Sequence, residues 1–382
     1  MRKHINRLRE FSIPLVLGVV TALFWANMNK TSYLHCIGQN LVAGCSLHFI
    51  TNDLFMVLFF GIAAAEITKS TLPGGDLNPL KKAANPLLAT AGGVLGPIAV
   101  YLLLNRLLGM PQLQRGWGIP TATDIALAWL GARAVFGARH PAVSFLLLLA
   151  VADDAIGLAI ITIFYPDPHQ PFTPVWLLAT AAGMLIAWSL RRLHVHSYWP
   201  YLLLGGGLAW LGLSKAHLHP ALALVFIIPF LPATTRTNQR LFEETTLKCS
   251  ALDAFGNDWK ATVDIGLFMF GLTNAGVTFS TVGITTWLVL ASLLVGKTIG
   301  IYSFGQLGRL AGFKLPTGMR HRDLLVAGMV AGTGFTVALF VAGEAFTDPL
   351  LQGAAKMGAM FSISASLVGF FAAWSLRIHR MP

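Results

Sequence analysis

Windows of about twenty apolar residues recur along this chain, and each is long enough to cross the roughly 30 Å hydrocarbon core of a bilayer as a helix. About twelve can be marked: 12–29, 51–68, 85–108, 117–137, 141–165, 174–190, 199–214, 217–232, 262–280, 284–308, 323–347 and 353–376. Lipid offers the backbone no hydrogen-bond partners, so each span must satisfy its own amides. Helices do this within one segment, whereas a barrel would show strands of about 10 residues. Composition agrees: 55% of the 382 residues are hydrophobic and 11% are charged, against about 25% charged in soluble domains. The expected fold is an all-α integral membrane protein.

The net charge of +11 raises the question of nucleic acid, but its distribution excludes that reading. Lys69, Arg133, Arg139, Arg191, Arg192, Lys260, Arg309, Lys314, Arg320, Arg322 and Arg377 fall on one side of the alternating spans, with the basic start MRKHINRLRE. The other side keeps only Lys30, Arg106, Arg115, Lys215 and Lys356. By the positive-inside rule both termini are expected in the cytoplasm. The basic start leads into FSIPLVLGVVTALFWANM, which reads as a retained first span rather than a cleavable signal. The longest polar segment, 232–260, divides the spans into eight and four. Cys36, Cys45 and Cys249 show no metal-ligand spacing, pairing of the first two is left open, and no cofactor is expected.

Few ionisable groups remain at mid-span. LLLLAVADDAIGLAIITIFY, Leu146 to Tyr165, carries Asp153 and Asp154; Asp124 and Lys297 are the others, with Glu66 and Glu344 nearer span ends. One Asp at a helix centre costs roughly 2.5–3.5 kcal/mol on insertion scales, so such groups are read as functional. The plainer reading is a structural Asp–Lys pair locking two helices, but three acids against one base leave at least one acid to be protonated or to hold a cation. Neighbouring helix residues differ by about 100° in direction. One of the two aspartates can therefore face Lys297 while the other faces a cavity.

Two spans carry breaks. In GWGIPTATDIALAW, Pro120 removes a helical N–H, Thr121 and Thr123 can bond freed backbone groups, and Asp124 follows the break. In AGTGFT, Ala331 to Thr336, Gly332 and Gly334 flank Thr333. The broken spans are the fourth and the eleventh, the middle members of spans three to five and ten to twelve, which run in opposite directions. That pattern points to inverted repeats, with two broken helices crossing at mid-membrane and the site at the breaks.

These stretches resemble the NhaA-type sodium/proton antiporters, from about Asn52 to Gly369. GWGIPTATDIALAW is similar to the family's broken fourth span and LLLLAVADDAIGLAIITIFYPD to its double-aspartate helix. LLVGKTIGI resembles its lysine helix and VAGMVAGTGFTVALFVA its second broken helix. NDLFMVLFFGIAAAEITKS and SKAHLHPALALVFIIPFLP are also close.

The resemblance implies that Asp154 is the principal sodium ligand and proton acceptor, that Asp153 pairs with Lys297, and that Asp124 and Thr123 help bind the ion, Asp154 and Asp124 being the metal-ligating pair. It implies a single antiporter domain over 1–382, with a core of about 85–165 and 284–376 against a panel of about 12–68 and 174–280. It also implies a bacterial cytoplasmic (inner) membrane location, Na+ or Li+ exchanged electrogenically for H+, and a homodimer through a hairpin at about Ser32 to His48. Glu66 and His219 match positions tied to pH regulation. Ser70 stands where the family has an acid, and Glu344 is an added one.

Competition between a metal ion and protons for one set of carboxylates yields exchange when access alternates between the two sides. Hard cations favour such oxygen ligands. Positive helix N-termini at the breaks suit Asp124, and negative C-termini suit Lys297. The alternative is a sodium-coupled organic-solute symporter, which needs a polar solute pocket. A prenyl-transfer enzyme needs a second acidic cluster, which the chain lacks, and a non-transporting scaffold gains nothing from buried acids. No enzymatic activity is expected.

Overall fold

The protein is described from a computed structural model, covering residues 13–42, 45–73, 80–165, 172–233, 250–378 and 380. The basic start and most of the polar segment 232–260 lie outside the described residues. Each expected window finds a helix. They are α1 (Ile13–Met28), α2 (Lys30–Gly38), α3 (Leu47–Thr71), α4 (Leu80–Leu108), α5 (Ile125–Phe136), α6 (Pro141–Phe164), α7 (Pro174–Arg192), α8 (201–216), α9 (Pro220–Phe230), α10 (Ala251–Asn274), α11 (Ile284–Leu310), α12 (His321–Ala331), α13 (Phe335–Ala345) and α14 (Pro349–Ser375). A short antiparallel hairpin, β1 (Asn40–Val42) with β2 (Cys45–Ser46), stands between α2 and α3.

Among the described residues, six helices are long and apolar enough to span a membrane by themselves, and the bent pair α12–α13 makes a seventh. The remaining windows are short or interrupted, or, in α10, carry too many charges. Large apolar side chains stay exposed around the bundle, including Phe24, Leu103, Ile163, Leu203, Ile265 and Trp374. Apolar cover on this scale suits lipid and not water.

The largest boundary difference from the sequence reading lies at the ninth span. The ninth span is expected at 262–280, but α10 begins at Ala251, where the Ser250 side chain accepts from the Asp253 N–H. Its first half carries Asp253, Asp258 and Lys260, so hydropathy misses it although the N-cap and helical backbone are sound.

Two close pairs fix the frame. α1 crosses α10 where Gly18 meets the Phe268 backbone and Gly271 meets that of Leu15. α4 runs against α11 with Gly92 and Gly96 facing Gly296 and Gly300, backbone on backbone. Small residues four apart let membrane helices approach this closely, and the contact sets the depth of Lys297. A separate apolar cluster, including Phe136, Phe145, Leu149, Ile301, Leu324 and Val330, is drawn only from segments within 85–165 and 284–376, with Met319 and Ala373.

Candidate functional site

The fourth span is interrupted as its sequence suggests. A 3₁₀ segment, Pro111–Thr121, ends with Pro120 at non-helical angles (φ −84°, ψ 15°), and α5 starts only at Ile125. Thr121 Oγ1 donates to the Gly118 carbonyl at 2.7 Å, filling an acceptor the break releases. Tyr101 and Tyr165 brace the segment: their hydroxyls donate to the carbonyls of Leu113 (2.8 Å) and Arg115 (2.6 Å).

The second break separates α12 from α13, which are bent by 48°. Its glycines have negative φ, so their use here is space. A Cβ at Gly334 would lie 2.6 Å from the Leu293 side chain and 3.1 Å from the Ala122 carbonyl. That room lets the two breaks cross in contact, joined by the Asp124 N–H donating to the Thr333 carbonyl at 2.7 Å.

Asp124 is the N-cap of α5: its Oδ1 accepts from the Leu127 N–H at 2.9 Å. Its Oδ2 accepts from the hydroxyl (2.9 Å) and N–H (3.3 Å) of Thr336, in the first turn of α13. One carboxylate therefore caps two helices and faces both positive ends. Thr336 lies in the quoted AGTGFT stretch but is absent from the expected site residues. Only the crossing of the breaks brings it to Asp124.

Lys297 is fully buried and follows a π-helical stretch, Ser292–Gly296; such irregular turns in helices gather at functional sites. Its ammonium pairs with Asp153 Oδ2 and donates to the Thr121 carbonyl (2.9 Å) and to Thr123 Oγ1 (2.6 Å). Thr123 Oγ1 in turn donates to Asp153 Oδ2 at 2.7 Å, with the Ala331 carbonyl 3.1 Å away. The cation thus meets the C-terminal end of the first half-helix. Thr333 Oγ1 donates back to the Val330 carbonyl at 3.0 Å. The carbonyls of Thr121, Ala331 and Thr333 are all engaged within the crossing.

Asp154 turns the other way. Its Oδ1 is buried with no hydrogen-bond partner, and the side chain lines a cleft of about 310 Å³ with Asp124, Thr336, Glu66 and Asp264. Lys69 and Lys260 mark the end of the bundle to which this cleft belongs. The adjacent aspartates are thus divided between a sealed pair and an open cleft.

Glu66 belongs to that cleft, whereas His219 lies toward the opposite end. There a second cavity of about 670 Å³ is lined by His48, Asp53, His219, Glu344 and Gln352 among others. His219 Nε2 stands 3.3 Å from Glu344 Oε1, and its ring meets Phe340 edge-on at 4.6 Å.

A helical bundle in which two interrupted helices cross beside buried carboxylates and a buried lysine has the architecture of a multi-pass secondary transporter. Residues 2–374 match the family model described as Na+/H+ antiporter 1. The chain is 64% identical over 381 residues to the Na+/H+ antiporter NhaA 2 of Pelobacter propionicus and 63% identical over 382 residues to the Na+/H+ antiporter NhaA of Geobacter sulfurreducens, with all of both chains covered in each case. The chain belongs to this antiporter family. Its fold is similar to that of the sodium proton antiporter MjNhaP1 from Methanocaldococcus jannaschii, with a TM-score of 0.54 and 14% identity over 96% of this chain and 91% of that one.

Proposed function

We propose that the protein exchanges sodium for protons across the membrane, with Asp154 as the shared carrier of both. The observation that carries this is the unpartnered, buried carboxylate oxygen of Asp154 in a cleft beside Asp124. A carboxylate held away from bulk water needs a proton or a metal ion to be tolerated. Either occupant supplies the missing partner, and neither can bind while the other is there. Family membership supports the ion and its counter-ion, and favours exchange over solute symport.

Asp154 and Asp124 supply carboxylate oxygens to Na+, and Li+ is accepted as a harder analogue. Asp153 and Thr123 are tied to that site through Lys297, so loading Asp154 is felt by the pair next to it. Sodium displaces protons from more than one acid, making transport electrogenic. The core of about 85–165 and 284–376 moves against the panel of about 12–68 and 174–280, carrying the site between the two ends. Glu66 and His219 adjust the rate with pH. The protein resides in a bacterial cytoplasmic membrane with both termini inside, and pairs as a homodimer through the β1–β2 hairpin.

The test is proton flux driven by sodium or lithium in proteoliposomes. Exchange is expected for the wild type, with a current on a solid-supported membrane, and none for Asp154→Asn. Normal exchange by that variant refutes the assignment of the carrier.

A further inference from the structure

The cleft that holds Asp154 has two unlike walls. One carries Asp124, Asp154 and Thr336, from α5, α6 and α13; the facing one carries Glu66, Lys69, Lys260 and Asp264, from α3 and α10. Lys260 and Asp264 are four residues apart, hence on one helix face. Lys260 is exposed and Asp264 is half-buried one turn further along. α10 thus carries its base at the rim and its acid within the cleft.

Four carboxylates line the cleft, those of Glu66, Asp124, Asp154 and Asp264, together with the ammonium groups of Lys69 and Lys260. Lys69 is also engaged by Asp253 at 2.7 Å. The buried Asp154 Oδ1 without a partner marks where a cation is wanted. Apolar walls such as Phe59, Ile62 and Leu267 concentrate that field in the cleft.

We infer that Asp264 and Lys260 set the sodium affinity of this face of the transporter, Asp264 drawing the cation in toward Asp154 and Lys260 opposing it. This rests on the exchange reading above. The pair sits on the wall that lacks Asp124 and Asp154, so it acts from one side only. When the site is presented to the opposite end, α10 stays behind.

The experiment measures exchange against sodium concentration in everted and right-side-out vesicles. From the Lys69–Lys260 side, Asp264→Asn raises KM about three- to tenfold, with the maximal rate within about twofold, and Asp264→Glu restores it. Lys260→Gln, a change at an exposed position, lowers KM. From the other side both keep the wild-type KM. Both effects shrink when choline chloride raises the ionic strength, as screened charges require. Shifts in the same direction for both variants, or a wild-type KM for Asp264→Asn, overturn the inference. If instead the wild type shows no exchange, or Asp154→Asn retains it, the exchange reading itself fails.

Discussion

Asp124 holds the crossing together, and its contribution can be separated from its charge. In Asp124→Asn the Oδ1 can still accept from Leu127, preserving the cap on α5. The amide cannot accept from Thr336, so a hydroxyl and an N–H at the start of α13 lose their acceptor. Each buried donor left unpaired costs about 1–3 kcal/mol. The N–H contact is the longer of the two, so about 2–4 kcal/mol is expected in total. Thr336→Val removes only the hydroxyl, at about 1 kcal/mol. When Asp124→Asn is already present, the same change costs little, since that hydroxyl is then unpaired. The cycle should therefore show a coupling of about 1 kcal/mol or more, where independent sites add to within about 0.3–0.5 kcal/mol. Thermal unfolding in detergent, followed by tryptophan fluorescence, reads it as a loss of about 5 °C for Asp124→Asn. Additive costs for the two substitutions refute the double-capping role.

Other consequences follow from the same geometry. Lys297→Met leaves the buried Asp153 carboxylate without its counter-charge and the Thr121 carbonyl without its donor, and is expected to cost about 3–5 kcal/mol. Adding Asp153→Asn should recover part of that loss in the same assay. Gly92→Ala drives a methyl into the Gly300 backbone on α11. An overpacking cost of about 1–3 kcal/mol should appear as poorer thermal stability, whereas Gly207→Ala, with nothing within 4 Å, should be neutral. His140 caps α6 through Nδ1, which accepts from the Ala142 N–H at 3.1 Å. Burial lowers its pKa, and Asp323 only partly opposes this. A base whose folded pKa is depressed stabilises fully above its ordinary value near 6.5 and loses that contribution as pH falls through the lower folded value. His140→Ala should therefore cost about 1 kcal/mol near neutral pH, and less at pH 5, in stability measured against pH.

Glu344 shows how the same kinds of residue can be placed differently by the fold. From sequence it is an acid near a span end, and so is Glu66. The structure sets Glu66 in the cleft with Asp154 and Glu344 against His219 at the other end. Hydropathy gives depth along a span, but not which neighbour the side chain meets.

The sequence by itself determined the membrane-spanning helical character, the two interruptions and the mid-span charges. These are local matters: apolar length, a proline without its N–H, glycines beside a threonine, and the cost of each charge in lipid. The 100° between Asp153 and Asp154 was enough to say that they part. Only the tertiary structure decided which way each one turns, that Asp124 caps a helix more than two hundred residues away, and that Thr336 completes its hydrogen bonds. It alone brought Asp264 and Lys260 from α10 to face Asp154. The early start of α10 escaped hydropathy because its first turns are polar, and a helix is defined by its backbone bonds and cap whatever its side chains prefer. Partners in a crossing of two breaks are fixed by how the helices pack, as at Gly92 and Gly300, and packing between distant segments leaves no periodic trace in either one.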